Sequence, residues 1–197
     1  MFRAPPPTTQ ALIGLNVIAF ALQGLLGDGV FANFALWPLG AEFAPWQILT
    51  YGFLHGSLMH LLFNMLGLYM FGSDIESVWG QRRFIIYYLT CIITAAIAQL
   101  VVTSMTGSVY PTVGASGGVF GLLLAFGMMF PRRIVVLLIP PIPMPAWLFV
   151  TLYGVIELYL GIIGSASGVA HFAHLGGMVG GYALITYWRS GKGRRRY

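Results

Sequence analysis

Six stretches of this chain are long enough to cross a bilayer: about residues 10–27, 57–73, 83–104, 115–130, 145–164 and 169–188. The only charges within them are Arg83 at an edge and Glu157. About 20 apolar residues in helical form span the hydrocarbon layer, and tilt or short ends stretch that range. The whole chain explains why these runs cannot be soluble cores. Only 15 of 197 residues are charged, about a third of the usual charged share of a soluble domain. That is too little charge to cover a soluble surface. A soluble cytoplasmic enzyme, a disordered chain and a nucleic-acid binder are therefore excluded. The runs are continuous rather than alternating, which selects helices over a membrane barrel.

Orientation follows from the basic residues. Arg3 precedes the first span, and Arg82 and Arg83 lie between the second and third. Arg132 and Arg133 lie between the fourth and fifth, and Arg189, Lys192, Arg194, Arg195 and Arg196 follow the sixth. With six spans and a cytoplasmic N-terminus, all ten fall on one side, and the positive-inside rule makes that side the cytoplasm. Five or seven spans would scatter them. The expected division is a cytoplasmic segment 1–9, a membrane domain 10–188 and a basic cytoplasmic tail 189–197. The tail is a topology and headgroup anchor. Residues 11–26 read as a retained span rather than a signal peptide, since no small-x-small cleavage site follows. The connection 28–56 mixes Phe31, Phe34, Trp37 and Trp46 with prolines and polar residues, and reads as a partly helical interfacial segment. The single cysteine, Cys91, sits in an apolar run. It is a small buried hydrophobe.

Polar groups inside a membrane are costly, so each is a candidate for function. All four histidines fall in the outer half: His55 and His60 at the start of the second span, His171 and His174 at the start of the sixth. Ser116 opens the fourth. At about 1.5 Å per helical residue, Ser116 and His174 stand roughly 22–24 Å above Arg132 and Arg189. His60 lies at a similar level above Asp74, and Asn64 is one turn deeper on the same face. Four polar side chains from three spans converge at one depth. Gly117 and Gly121 on the fourth span, and Gly177 and Gly181 on the sixth, are spaced four apart. Small residues at this spacing let membrane helices approach closely, and each pair starts beside a candidate residue.

Ser116 sits in Gly114-Ala115-Ser116-Gly117-Gly118. The pattern also reads as the G-x-S-x-G elbow, but that elbow needs a strand before the helix, and none is available here. Its mechanics do transfer. Glycines let the chain turn sharply into a helix N-terminus, where free N–H groups and the dipole favour negative charge. An oxyanion formed at Ser116 would meet backbone donors, with His60 and Asn64 as side-chain donors.

These residues resemble the rhomboid family of intramembrane serine proteases. Three motifs match in order: His55 through His60 to Asn64; Gly114-Ala115-Ser116-Gly117; and Ala173-His174-Leu175-Gly176-Gly177 followed by Gly181. Gly72-Ser73-Asp74-Ile75-Glu76 adds to the likeness, which covers roughly residues 42–188. The resemblance implies an all-α, six-helix membrane bundle with a long, partly helical loop after the first span. It makes Ser116 the nucleophile and His174 the general base. The oxyanion hole would be His60, Asn64 and the Ser116 N–H. His171 would be a neighbour that tunes polarity or holds water. No acid stands near His174 in sequence, so a Ser–His dyad is expected. Two positions depart from the family pattern. Trp46-Gln47 replaces a Trp-Arg pair, and Phe120 replaces a Tyr that stacks on the catalytic His.

The expected activity is cleavage of transmembrane protein substrates in or beside a span. No cofactor or metal is expected and nucleic acid plays no part. The lipid bilayer is the working environment. The expected location is a bacterial inner membrane, with both termini cytoplasmic and the site opening outward. Glu157 reads as a buried acid, neutral or water-bonded, facing the outer cavity. Two rivals differ in kind. A non-catalytic client-binding relative would lack the nucleophile or base, and both are present. A histidine-based transporter or metal site lacks an H-E-x-x-H pattern and acids near the histidines. The substrate, pathway and oligomeric state are not legible.

Overall fold

Helix α1, Pro7–Leu26, opens on a proline, whose fixed φ suits the first helical position. Its first amides are claimed by a distant side chain. Thr8 and Thr9 donate their backbone N–H groups to Glu76 at 2.9 and 2.7 Å, and the Thr9 hydroxyl donates at 2.7 Å. A buried carboxylate at a helix start satisfies orphan donors and matches the dipole. The computed structural model describes residues 4–40, 42–137, 140–164 and 170–190. Arg3, residues 165–169 after the fifth run, and the tail from 191 onward lie outside them.

The connection after α1 carries two short helices, α2 (Asp28–Ala32) and α3 (Gln47–Thr50), followed by a tighter turn at Tyr51–Phe53. Gln47 is buried and ties this segment together. Its amide donates to the Asn33 and Glu42 carbonyls at 3.2 and 2.9 Å and accepts from the Trp37 N–H at 3.2 Å. The departure at position 47 thus supplies a neutral donor and acceptor suited to burial.

Helix α4, Leu58–Gly67, starts where the Ser57 hydroxyl accepts from the His60 N–H. It runs through a π-helical turn at Leu68–Gly72 directly into α5, Ser73–Thr106. The expected loop near 74–82 is reduced to a break at Gly80, whose φ of 76° no ordinary helical residue adopts. The chain folds back there: a Cβ on Gly72 would touch the Phe84 ring, and the Trp79 and Tyr87 rings meet at 4.9 Å. Leu58–Thr106 counts 49 residues, about 74 Å of helical path shared between the two arms on either side of Gly80. That is more than twice the hydrocarbon thickness. Pro7–Leu26, Leu58–Thr106 and Ala146–Ile163 are each long and apolar enough to cross a membrane.

Helix α6, Ser116–Met129, is apolar but only 14 residues long. The all-helical expectation misses one feature. Strands β1 (Ile134–Val136) and β2 (Pro143–Pro145) pair antiparallel. Two prolines in β2 cannot donate, which restricts such a strand to an edge. The hairpin leads into α7, Ala146–Ile163, and α8 is His171–Arg189. Helix α8 packs most extensively on α5 and α6. The buried centre is Leu68, Ile75, Phe84, Tyr87, Cys91 and Leu122. Large apolar side chains face outward along α1 and α7, among them Ile18, Leu25, Tyr159 and Ile162.

Asp74, Glu76, Arg83 and Arg133 gather at one end. Arg133 pairs with Asp74 at 2.8 Å, Glu76 holds the start of α1, and the Arg83 guanidinium lies over the Trp188 ring at 5.7 Å.

Candidate active site

Ser116 is the first residue of α6, where helical N–H groups have no partner within the helix. The turn before it is fixed from outside. Gly114 donates its N–H to the Tyr51 carbonyl at 2.9 Å, and Leu36 and Thr112 exchange two backbone hydrogen bonds at 3.0 and 2.9 Å. The long connection after α1 therefore holds the approach to Ser116. Gly114 has φ 130°, and a Cβ there would fall 2.8 Å from His60 Nε2. The first glycine of the motif is needed twice, for backbone conformation and for room.

The close faces of α6 and α8 meet as the glycine spacing implies, with one difference. Gly177 lies against the Gly117 carbonyl, with no space for a side chain. Gly181 instead faces Tyr87 and Cys91 of α5, and the Tyr87 hydroxyl donates to the Gly121 carbonyl at 2.7 Å. Three helices share the seam. Sequence spacing identifies small faces but not which neighbour each one meets.

This packing puts His174 Nε2 2.8 Å from Ser116 Oγ. The Phe120 ring lies flat on the His174 ring, with centroids 4.3 Å apart and planes 4° apart. Tyr153 of α7 tilts against Phe120 at 6.2 Å. The His60 ring lies edge-on to His55 at 5.0 Å. Asn64 is buried, and its Nδ2 donates to the His60 carbonyl at 2.9 Å. An amide nitrogen carries two hydrogens, so one is engaged in its own helix and one is left for the site. His55 is also buried, with neither ring nitrogen partnered among the described residues.

One contact was not legible. Glu157 of α7 presents Oε2 to His174 Nδ1 at 2.9 Å and to His171 Nδ1 at 2.7 Å. The reading of Glu157 as a group facing the outer cavity is corrected: its carboxylate turns to the two histidines. The absence of acids near the histidines, used against a metal site, is likewise a feature of sequence and not of space. Glu157, His171 and His174 offer three donor atoms within 4.8 Å of one another. The short hydrogen bonds already engage Glu157 Oε2 and both Nδ1 atoms. Helical spacing does carry half of this signal, since His171 and His174 are three apart on one face. Glu157 lies 14 and 17 residues away, on a different helix.

A cavity of about 1150 Å³ opens on Ser116 and His174. It extends between α4 with the π-helical turn after it, through Phe63, Gly67 and Phe71, and α7, through Phe149 and Tyr153. His60 and Asn64 line it, whereas Glu157 and His171 do not. The site thus joins a hydroxyl to an imidazole at a helix N-terminus, beside an apolar groove. That combination suits acyl transfer on a chain segment lying between two helices.

Known proteins are similar to this chain. The Rhomboid domain family matches residues 42–190. The chain is 32% identical over 191 residues to the rhomboid protease GluP of Bacillus subtilis, covering 90% of this chain and 34% of that protein. It is 28% identical over 193 residues to the mitochondrial Rhomboid protein 1 of Saccharomyces cerevisiae, covering 93% and 54%. It is 30% identical over 119 residues to the rhomboid protease GlpG of Klebsiella pneumoniae, covering 59% and 41%. The chain spans between a third and about half the length of these relatives.

Proposed function

This chain belongs to the rhomboid family, and from that membership we propose that it is an intramembrane serine endopeptidase. It cleaves transmembrane protein substrates within or beside a membrane span. The observation that carries this reading is the 2.8 Å contact between Ser116 Oγ and His174 Nε2, at the mouth of a groove between α4 and α7. In this mechanism the Ser116 oxygen attacks a substrate peptide carbonyl while its proton passes to His174 Nε2. The oxyanion is met by the Ser116 N–H, His60 and Asn64. His174 then protonates the leaving amine, and an acyl-enzyme remains on Ser116. Water, activated by the same imidazole, releases the second product and restores the hydroxyl. No step calls for a metal, so a chelator leaves the rate of the purified protein unchanged.

The membrane arrangement is part of the proposal. The six spans are α1, the two arms of 58–106 on either side of Gly80, α6, α7 and α8. The charged end is cytoplasmic, and the site opens to the outer side of a bacterial inner membrane. The domain 10–188 is flanked by cytoplasmic segments 1–9 and 189–197. The substrate span enters between α4 and α7 and must unwind locally to present a carbonyl, so small or helix-breaking residues near the cut favour cleavage.

The test uses purified protein in proteoliposomes with a single-span reporter. Ser116→Ala and His174→Ala keep the wild-type melting temperature and lose at least about 1000-fold in rate. Full activity in either variant overturns the reading. A fluorophosphonate labels the wild-type chain and spares Ser116→Ala. Absence of labelling and cleavage would instead mark a non-catalytic client binder.

A further inference from the structure

We infer that Glu157 is a positioning residue that completes a Glu157–His174–Ser116 chain, an inference that rests on the protease reading above. Three distances carry it. Glu157 Oε2 lies 2.9 Å from His174 Nδ1, and His174 Nε2 lies 2.8 Å from Ser116 Oγ. The same Oε2 lies 2.7 Å from His171 Nδ1. All three of these ionisable residues are at least nine-tenths buried.

One carboxyl oxygen between two ring nitrogens can act as donor to only one of them. As a carboxylate it accepts from both. Each imidazole then carries its hydrogen on Nδ1. For His174 that choice leaves the Nε2 lone pair facing the Ser116 hydroxyl, the orientation a general base needs. Without Glu157 the ring is free to hold its hydrogen on Nε2, where it cannot take the serine proton. When the Ser116 proton does reach Nε2, the carboxylate sits against the cation that forms.

Glu157 acts through His174 and not on substrate, because it lies outside the groove lining. His171 has a part in this arrangement beyond polarity. A lone carboxylate in a membrane interior is costly, and a second N–H donor stabilises it where water is excluded. Of the five acidic residues in the chain, Glu157 alone lies well inside an apolar run.

The test compares wild type, Glu157→Gln, Glu157→Asp and Ser116→Ala in the proteoliposome assay. Glu157→Gln is expected to lose about 100-fold in kcat, within the range of general-base catalysis, with KM changed less than twofold. Glu157→Asp recovers part of that loss. A wild-type kcat in Glu157→Gln overturns the inference, and so does a loss confined to KM or matched by unfolding. A second measurement needs no variant at position 157. With four histidines in the chain, nitrogen-15 spectra of folded protein can be assigned by single His→Asn changes. His171 and His174 should both show the Nδ1–H tautomer, and an Nε2–H tautomer at His174 overturns the inference. The two readings fail separately. If Ser116→Ala is inactive and Glu157→Gln is not, only the role of Glu157 falls. If the wild-type chain cleaves nothing, both fall.

Discussion

At the scale of single residues, the site depends on two kinds of fit. Gly114 is held in a left-handed conformation with the His60 ring where a side chain would go. Gly114→Ala should therefore cut activity at least tenfold, through backbone strain of about 1–3 kcal/mol and a displaced His60. Gly164 is a control. It has φ 65° but open space around it among the described residues, so Gly164→Ala should cost about 1 kcal/mol in a thermal melt and leave kcat near wild type. Phe120 is the second case. Its ring covers His174 in parallel contact, a geometry worth about 0.5–1.5 kcal/mol beyond simple burial. Phe120→Tyr keeps the stack and should stay within a few-fold of wild type, whereas Phe120→Ala should lose about tenfold in kcat. A steady-state assay on the three proteins checks the order.

At the scale of elements, length and anchoring decide where the chemistry sits. Helix α6 is about 21 Å long, well short of the hydrocarbon thickness. With its far end at the charged side, its first residue is sunk below the opposite surface. The helix cannot slide, because α8 meets it backbone to backbone at Gly117 and Gly177. Gly177→Val should prevent folding, seen as loss of the monodisperse species in detergent. At the charged end the two acidic anchors differ in worth. Asp74 and Arg133 are substantially exposed, with side-chain exposures of 37% and 52%, and such a pair contributes under about 1 kcal/mol. Glu76 is buried and accepts three hydrogen bonds from the start of α1. Glu76→Ala leaves those donors unmet and should cost about 3 kcal/mol. Melting temperatures of Asp74→Ala and Glu76→Ala should separate clearly.

At the scale of the whole molecule, the described arginines gather at the end opposite the Ser116 site, and orientation can be read directly. Cys91 is buried, so a cysteine introduced elsewhere is the only one a probe reaches. Val109→Cys, at an exposed position, should react with an impermeant maleimide in intact spheroplasts. Arg132→Cys should react only after lysis. The reverse pattern would invert the topology. Much of this organisation was legible in the sequence. Hydropathy alone defines the apolar runs, because lipid imposes one rule on every residue of a span. Helical rise sets Ser116, His60 and His174 at one depth, with Asn64 one turn deeper, because depth in a helix is a linear count. What could not be read was how faces meet across space. Nothing in the spacing turns Gly181 toward Tyr87, breaks one long helix only at Gly80, or pairs Ile134–Val136 with a proline-rich strand. Above all, nothing sets Glu157 against His174. The sequence determined which residues share a level of the membrane. Only tertiary packing decided which of them touch, because rotation and tilt of each helix are fixed by its neighbours and not by its own order of residues.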